Sequence, residues 1–232
     1  MKRIPSTLAN KWPELLLELI VITVGIVGAF GLNNWNENRK SRNVEVKILS
    51  EILDNLKEDG ANILQAERQL ANSVKSISSL LNSNLRTMND DSLAKNLALF
   101  INFYKYHPID NAYETLKSSS ASISSIELKN AISRYYEYEQ NRALSGLMDV
   151  EDQFHKYLVP FAREYIEDFN WLKSATPRNK TSEFFSDLEK ELIGAKDNNG
   201  QTLIVIRKFI NSNRNLQKEI NTNLNLRRER TE

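Results

Sequence analysis

One long apolar stretch near the N-terminus, Leu15–Trp35, dominates the pattern of hydrophobic and polar positions along the chain. Before its polar exit the stretch carries only two polar side chains, those of Glu18 and Thr23. A helix rises ~1.5 Å per residue, so about 20 helical residues cross a hydrocarbon core ~30 Å thick. The stretch therefore predicts a transmembrane helix over residues 15–36, preceded by a basic tail over residues 1–14.

Two tryptophans bracket this stretch. Trp12 and Trp35 stand where the aromatic belt of a membrane-spanning helix is expected, because amphipathic rings favour the membrane–water interface. The alternative is a cleaved signal peptide, since the small-residue motif Val27-Gly28-Ala29 follows an apolar region. The apolar run continues past that motif to Leu32, which favours the anchor.

Beyond the anchor the chain has the periodicity of long helices. From Asn38 to about Leu85 an apolar residue recurs every seven positions, and a second row runs beside the first. The first row is Leu49, Leu56, Ile63, Leu70 and Ile77, and the second is Leu53, Gly60, Glu67, Val74 and Leu81. Because Gly60 and Glu67 interrupt the second row, we expect this helix to pack inside a bundle of its own chain rather than in a strict two-stranded coiled coil.

Cap residues and prolines divide the rest of the chain into further helices. A second helix is predicted from Ser92 to Tyr106 before Pro108, a short third from Asp110 to Ser118, and a fourth that runs to about Asp168. The fourth helix follows a loop and begins at a capping box, Ser124-Ser125-Ile126-Glu127. Because Pro160 removes a backbone donor, we expect a kink or break near Leu158.

The C-terminal third is predicted as loop, helix, turn and helix. The segments are a loop over Asn170–Thr181, a helix over Ser182–Ile193, a turn at Asp197–Gly200 and a last helix from about Leu203. The β-branched run Leu203–Ile206 leaves a short strand open as an alternative. The residues from Arg227 onward are expected to fray.

Composition favours helices and removes several function classes. The 232 residues hold only seven Gly and five Pro, and three of the glycines lie in the apolar stretch. A formal net charge of +1 gives no global basic field of the kind that nucleic-acid binding requires. The chain has no cysteine, which excludes disulfides, thiolate chemistry and cysteine-ligated zinc. We therefore predict an all-α protein whose transmembrane helix continues into one bundle of long antiparallel helices, residues 37–230.

Two groups of residues in the apolar helix are candidates for contacts in the membrane. Small residues at three- and four-residue spacings allow close helix approach, and an intramembrane carboxylate often makes a polar contact with another helix. The candidate helix-packing residues are Glu18, Gly25, Gly28, Ala29 and Gly31. The candidate interface residues, where the helix leaves the bilayer, are Asn33, Asn34, Trp35, Asn36, Glu37, Arg39 and Lys40.

The segment from Glu18 to Lys40 also carries a family resemblance. A glutamate opens an apolar helix, Gly25 lies in mid-helix, and the exit reads N-N-W-N-E-x-R-K. With these features the chain resembles a family of uncharacterised bacterial single-pass membrane proteins, a domain of unknown function. Residues 112–119 and the stretch from Leu128 to Tyr136 are also similar to that family, whereas Gly31 stands where glutamine is expected. The resemblance implies a single-pass anchor and a helical domain, and supplies no activity.

Few residues have the spacing of a catalytic or metal site. Glu151, Asp152 and His155 have metal-ligand spacing on a helix, but a dinuclear bundle site needs a second such motif. The aromatic residues of the fourth helix indicate core packing against the first, with a ligand pocket between the two helices as the alternative. The sequence holds no Walker A loop, nucleophile elbow, HExxH motif or dinucleotide fingerprint. We therefore expect no catalytic residue, no metal and no cofactor.

The sequence thus indicates a membrane-anchored helical-bundle protein, not an enzyme, that binds a partner protein or assembles with itself through the membrane helix. Its expected partners are the lipid bilayer, a second copy and an unidentified protein, and not nucleic acid. The alternative function is a sensor or small-ligand-binding module, and an enzyme is a remote third.

The expected location is the inner (cytoplasmic) membrane, with the bundle on the outer, periplasmic side. A short basic tail before the first apolar run is the usual look of a signal-anchor. If the last helix returned to the membrane, the basic groups Arg39-Lys40-x-Arg42 and Arg227-Arg228-x-Arg230 would meet on the domain side and reverse this orientation.

Overall fold

A computed structural model describes residues 6–119 and 121–229, and it is all-α apart from one small hairpin. Lys2, Arg3 and Arg230 of the predicted basic groups lie outside the described residues. The elements are α1 (Ser6–Leu81), α2 (Asp90–Phe100), α3 (Asn111–Ser118), α4 (Ile126–Arg134), a first π-turn (Tyr135–Gln140), α5 (Asn141–Gln153), a second π-turn (Phe154–Leu158), α6 (Val159–Tyr165), β1 (Ile166–Asn170), β2 (Ser174–Pro177) and α7 (Ser182–Glu229).

The apolar segment and the first bundle helix form one continuous element. Helix α1 runs for 76 residues without a break, which corresponds to about 110 Å. Its most apolar window has a mean hydropathy of 2.1, and α1 is the one helix of the described chain that is long and apolar enough to cross a membrane. None of that window is buried against the rest of the fold. The bundle is therefore joined directly to a candidate membrane span by helical backbone.

Helix α7 packs antiparallel along the bundle part of α1. It runs for 48 residues, so the predicted helix end at Ile193 and the predicted turn at Asp197–Gly200 are both wrong. Two of the turn-forming residues are instead held by contacts across the bundle, because the Asn198 amide donates to Gln153 and the buried Asn199 amide donates to Ser73. Tertiary hydrogen bonds thus override the local preference of asparagine for turns.

The buried seam of α1 differs in one row from its prediction. The row from Leu49 to Ile77 is buried throughout, as predicted. Its companion row lies one position before the predicted one. Of the predicted second row only Leu53 is buried, while Gly60, Glu67, Val74 and Leu81 are half-buried. The companion row is Ile52, Asp59, Ala66, Ser73 and Leu80. Because Asp59 and Ser73 are polar, the periodicity of apolar residues did not predict this row.

The predicted fourth helix extends from Ile126 to Tyr165 but is interrupted twice by π-helical turns. The second π-turn ends two residues before Pro160, where the Val159 N–H donates to the Phe154 carbonyl five residues earlier. This confirms the disturbance predicted near Leu158. The capping residue is Ser125 rather than Ser124, since the Ser125 hydroxyl accepts from the Leu128 N–H at 3.2 Å.

Two segments leave the helical pattern where the sequence predicts otherwise. Helix α2 ends at Phe100 instead of Tyr106, and the chain then extends along α1, where the Asn102 amide donates to Gln69. The predicted end of the fourth helix at Asp168 and the predicted loop after it are replaced by the antiparallel hairpin β1–β2. Ala175 of this hairpin is fully buried among residues of α2, α6 and the start of α7. This packing stabilises the two strands, although their sequences do not alternate between apolar and polar residues.

The bundle has two hydrophobic clusters along its length. The cluster nearer the apolar segment joins α1 to α3, α4, the first π-turn and α7, and includes Leu56, Tyr135 and Phe209. The distal cluster joins the end of α1 to α2, α6, the hairpin and the start of α7, and includes Phe100 and Phe184. The two buried polar clusters described below lie beside the first of these hydrophobic clusters, which contains Tyr106 and Tyr135.

We predict opposite effects for two glycine substitutions. A Cβ at Gly60 would lie 3.0 Å from Oδ1 of Asn213. That amide cannot move freely because its nitrogen donates to the Leu56 carbonyl and to the Tyr135 hydroxyl. Gly60→Ala should therefore lower the free energy of unfolding by about 1–2 kcal/mol.

The matched control is Gly200→Ala in the interior of α7, where a Cβ would meet nothing within 4 Å. It should raise the free energy of unfolding by ~0.5–1 kcal/mol through helix propensity alone. Urea unfolding followed by circular dichroism measures both. A gain in stability for Gly60→Ala would contradict the close approach of α1 and α7.

Candidate functional site

The predicted helix-packing residues all lie exposed on the apolar part of α1. A Cβ added at Gly25, Gly28 or Gly31 would meet nothing within 4 Å. At 100° per residue, Glu18, Gly25 and Ala29 share one side of the helix, and Gly31 faces away from them. The structure thus brings Glu18 and the Gly25–Ala29 pair onto one open face and leaves Gly31 out of it.

The predicted exit residues form contacts along the helix itself. The Asn33 amide donates to the Glu37 carboxylate at 3.0 Å, and the Arg39 guanidinium lies 5.7 Å from the centre of the Trp35 ring. All residues from 33 to 40 are exposed. This segment therefore reaches neither the bundle nor its core, and its polar groups are accessible from outside the fold.

A buried charged cluster closes the bundle at the end nearer the apolar segment. The Arg227 guanidinium donates two hydrogen bonds to the Glu45 carboxylate, each 2.8 Å long. The Ser124 backbone N–H donates to the same carboxylate at 2.6 Å. We call Glu45, Ser124 and Arg227 the basal clasp, because it ties together α1, the start of α4 and the end of α7. The expectation that Arg227 frays is wrong, since the carboxylate holds it in place.

We predict that Arg227→Ala lowers the free energy of unfolding by about 2–4 kcal/mol. The substitution leaves the Glu45 carboxylate, which is 3% exposed, without its cation. Arg227→Lys should recover only part of the loss, because an ammonium cannot form the two parallel hydrogen bonds. Lys218→Ala, at an exposed position of the same helix, is the matched control. Equal stability of Arg227→Ala and the control in urea unfolding would contradict the clasp.

A second buried polar cluster lies deeper in the bundle, around Asp59. The Asp59 carboxylate accepts hydrogen bonds from the Tyr106 hydroxyl at 2.8 Å, the Ile109 N–H at 3.2 Å and the Tyr135 hydroxyl at 3.2 Å. The Asn213 amide of α7 donates in turn to the Tyr135 hydroxyl at 2.9 Å. This Asp59 centre therefore links α1, the extended segment after α2, the first π-turn and α7.

Burial controls the protonation of the Asp59 centre. Removal from water disfavours the charged carboxylate and raises the pKa of Asp59, while the hydrogen bonds from Tyr106, Ile109 and Tyr135 oppose the rise. Burial and the neighbouring carboxylate also raise the pKa of Tyr106 and of Tyr135. Both hydroxyls therefore stay protonated and act as donors, and Asp59 is the member of the centre that can change its charge in acid.

The first π-turn places Tyr135 and Gln140, five residues apart, on the buried side of the helix, next to the buried Tyr136. Tyr135 and Tyr136 are each buried, as is Gln140 at the end of the turn. A wider turn brings positions five residues apart onto one face, which a regular α-helix does not do. Tyr136 stacks on Tyr113 with the ring centres 4.4 Å apart. Burial and a hydrogen bond to Glu137 raise the pKa of Tyr113 to about 12.

The sequence did not lead us to predict either the basal clasp or the Asp59 centre. A signal for Asp59 was present, since it lies three residues after Leu56 and four before Ile63, on the buried side of the seam. Glu45 carries the weaker signal of lying four residues before the seam residue Leu49. Nothing local in the sequence pairs either residue with partners 47 to 182 positions away.

The alternative hypothesis expects a ligand pocket between the predicted first and fourth helices. Hydrogen-bonded side chains of the Asp59 centre occupy part of that space. A cavity of about 10 Å³ lies beside Asn102, Leu70 and Val150, large enough for one water molecule. A cleft of about 460 Å³ lies between α4 and α7, and is lined by polar residues that include Arg134, Glu139 and Glu219.

The residues with metal-ligand spacing form ion pairs. Glu151 accepts from Lys105 at 2.9 Å and Asp152 accepts from Lys156 at 2.7 Å, while the ring of His155 packs against Phe103. The predicted core role of the aromatic residues holds for Tyr135, Tyr136 and Phe161, whereas Tyr138 and Tyr157 are exposed.

Comparison with known proteins gives one match. Neither the curated proteins nor the solved structures contain a match to the chain. A family model does match, and it covers residues 18–156, from Glu18 of the apolar helix through the Asp59 centre to the second π-turn. The arginine of the basal clasp and Asn213 lie outside the matched region. Because the match extends over more than half of the 232 residues, the chain belongs to DUF6090, a family of unknown function.

Proposed function

We propose that the protein is a membrane-anchored, non-enzymatic assembly module, in which α1 spans the bilayer and holds the bundle at its surface. One observation carries this proposal: the apolar window of α1 is entirely exposed and continues without a break into the bundle. Contiguous apolar surface of this size is rare on soluble monomers and marks contact with a membrane or partner. A helix that is apolar on all sides favours lipid around it rather than a groove on one side.

Self-assembly through the open face of Glu18, Gly25 and Ala29 is the interaction that we propose for the span. Small residues let two helices approach closely, and a shared carboxylate can accept a hydrogen bond from a neighbouring helix. Leucine at Gly25 or Ala29 would block that approach. Because a side chain at Gly25 meets nothing within 4 Å in its own chain, such a variant tests association without disturbing the fold.

Crosslinking in membranes tests this assembly. In Gly25→Leu combined with Ala29→Leu, we expect the crosslinked dimer to fall roughly fivefold or more. Val27→Leu, on the opposite side of the helix, should leave the dimer fraction unchanged. An unchanged dimer in the double variant would contradict self-association through this face, and would leave an unidentified partner protein as the interaction to be sought.

We infer that the bundle faces the cytoplasm, which reverses the orientation expected from the sequence. The support is the antiparallel return of α7, which brings Arg227 level with Glu45, ten residues beyond Trp35. Arg227 thereby joins Arg39, Lys40 and Arg42 on the domain side of the span. Basic residues accumulate on the cytoplasmic side of membrane helices, and the cytoplasmic leaflet attracts them electrostatically.

Reporter fusions at the C-terminus distinguish the two orientations. We expect a green fluorescent protein fusion to be fluorescent and an alkaline phosphatase fusion, which is active only after export, to be inactive. The opposite pair of results would restore the periplasmic orientation. A chain that has lost its first 29 residues, detected by intact mass, would support the cleaved signal peptide instead of the anchor.

A further inference from the structure

The end of the bundle nearer the apolar segment has a surface of its own. It comprises residues 36–47 of α1, the start of α4 and the end of α7, which the basal clasp holds together. We call this surface the basal face. Any contact between the bundle and the bilayer that anchors it must occur here, because α1 enters the bundle at this end.

The basal face carries exposed aliphatic side chains on all three of its helices. Val44 of α1 is 47% exposed, Ile126 at the start of α4 is 68% exposed, and Leu226 near the end of α7 is 51% exposed. Each lies within two residues of a member of the clasp, so the clasp fixes their positions relative to one another. Exposure of these three aliphatic side chains to water costs free energy, and transfer of the side chains to the headgroup–acyl boundary of a membrane would lower that cost.

The α1 part of the basal face carries a net positive charge, while one exposed carboxylate, that of Glu127, lies beside Ile126 at the start of α4. Within residues 36–47, the exposed charged side chains are four cations and one carboxylate, that of Glu37. The carboxylate of Glu45 in the same range is buried and neutralised by Arg227. The four cations are Arg39, Lys40, Arg42 and Lys47. The positive excess on α1 next to exposed aliphatic residues is complementary to the phosphates of anionic lipid headgroups.

The distances permit this contact when the span tilts. Val44 lies nine residues after Trp35, or ~13–14 Å along the axis of α1, and headgroups extend ~5–8 Å beyond the hydrocarbon. Membrane helices tilt by ~20° on average and by up to ~40°. Because α7 packs ~8–10 Å to one side of α1, a tilt of ~40° toward α7 lowers Leu226 to about 6 Å above the hydrocarbon. Lys and Arg side chains extend several ångströms further towards the phosphates.

We propose that the basal face is a lipid-binding surface that docks the bundle onto an anionic bilayer. At this tilt Leu226 enters the headgroup layer together with Ile126, which the clasp holds beside it, and the cations of residues 39–47 contact lipid phosphates. The bundle therefore leans against the membrane instead of standing away from it. This inference rests on the proposed anchor, since α1 must span the bilayer for the basal face to meet it.

The 232-residue chain allows a direct test because it has no cysteine. Single cysteines carrying an environment-sensitive fluorophore are placed at Ile126 and Leu226 in the basal face. A probe at Phe30 reports on the span, and a probe at Ile193, equally exposed but near the distal start of α7, is the matched control. The protein is reconstituted into vesicles of phosphatidylcholine alone or with phosphatidylglycerol, each containing a headgroup-labelled quencher lipid.

We expect quenching of the Ile126 and Leu226 probes in anionic vesicles to exceed that of the Ile193 probe severalfold. Each cation near an anionic surface is worth roughly a fivefold change in the docked population. Replacing three basal cations by glutamate should therefore reduce quenching to the level in neutral vesicles. The basal variant is Arg39→Glu, Lys40→Glu and Arg42→Glu, and its distal control is Lys173→Glu, Lys190→Glu and Lys196→Glu.

The Phe30 probe separates the failure of this inference from the failure of the anchor. If Phe30 is quenched while Ile126 and Leu226 behave like Ile193 in both vesicles, the basal face does not dock and the anchor stands. Equal quenching of the basal probes in neutral and anionic vesicles would overturn recognition of anionic lipid. If Phe30 itself is not quenched, the anchor and the docking are both wrong.

Discussion

Replacing Asp59 with alanine is expected to lower the free energy of unfolding by roughly 3–5 kcal/mol. The substitution removes the acceptor of three hydrogen bonds and leaves the hydroxyls of Tyr106 and Tyr135 and the Ile109 N–H buried without it. The loss extends to α7, because Asn213 is positioned by the Tyr135 hydroxyl. Four segments of the bundle thereby lose a common contact.

Asp59→Asn is the control that separates charge from hydrogen bonding. Its carbonyl still accepts one or two of the same hydrogen bonds, so its cost should be less than half that of alanine. Urea unfolding of the full-length protein in detergent, followed by circular dichroism, measures both variants. A loss below ~1 kcal/mol for Asp59→Ala would mean that the centre contributes little, in contradiction to its burial.

The stability difference between Asp59→Asn and the native chain should depend on pH. Burial raises the pKa of Asp59 above the ordinary value of an aspartate in water, so the folded chain holds this proton more tightly than the unfolded chain does. The stabilising contribution is therefore fully present below the unfolded pKa and is lost as the pH rises through the folded pKa. Asparagine has no side-chain proton to lose in this pH range, so the stability of Asp59→Asn relative to the native chain should increase from about pH 4 towards neutrality. A constant or opposite trend would contradict the raised pKa.

Placing two arginines in the centre of the apolar segment should release the protein from the membrane. Each arginine at the centre of a membrane helix costs ~2.5–3.5 kcal/mol on insertion scales, so Val24→Arg with Ile26→Arg costs about 5–7 kcal/mol. Both residues are exposed and lie outside the buried core, so the bundle itself should retain its stability. The fraction that sediments with membranes measures the effect.

The control for this variant places the same charges elsewhere. Ile193→Arg with Ile204→Arg changes two exposed isoleucines of α7 and should leave the protein in the membrane fraction. Unchanged sedimentation of the Val24 and Ile26 variant would show that the apolar segment is not what retains the protein. Loss of circular dichroism in that variant would show that the segment also supports the bundle.

The sequence allowed the all-α class and the seam from Leu49 to Ile77 to be predicted because both depend on local periodicity. It did not reveal that α7 is continuous, because Asp197–Gly200 has the composition of a turn. Only the partners Gln153 and Ser73, which are distant in the sequence, hold Asn198 and Asn199 in a helix. The hairpin was missed for the same reason, since burial of Ala175 depends on a core assembled from other segments.

The candidate sites also differ in whether local sequence or contacts between distant residues define them. Residues from Glu18 to Lys40 could be selected in advance, because an apolar helix with a polar exit is visible in the sequence itself. The basal clasp joins Glu45 to Arg227 and the Asp59 centre joins α1 to Tyr135, so both required the antiparallel return of the chain. In comparable chains, a polar residue on a heptad seam, such as Asp59, predicts buried hydrogen-bond partners from other helices.

The central claim is that α1 crosses the bilayer, and the sidedness of two single cysteines tests it most directly. Trp12→Cys and Asn38→Cys lie at opposite ends of the apolar segment of one continuous helix, in a chain with no other cysteine. In sealed vesicles treated with a membrane-impermeant maleimide, we predict that only one of the two reacts from the outside, and that the other reacts only after the vesicles are opened. Labelling of both positions from the same side of intact vesicles would contradict the account.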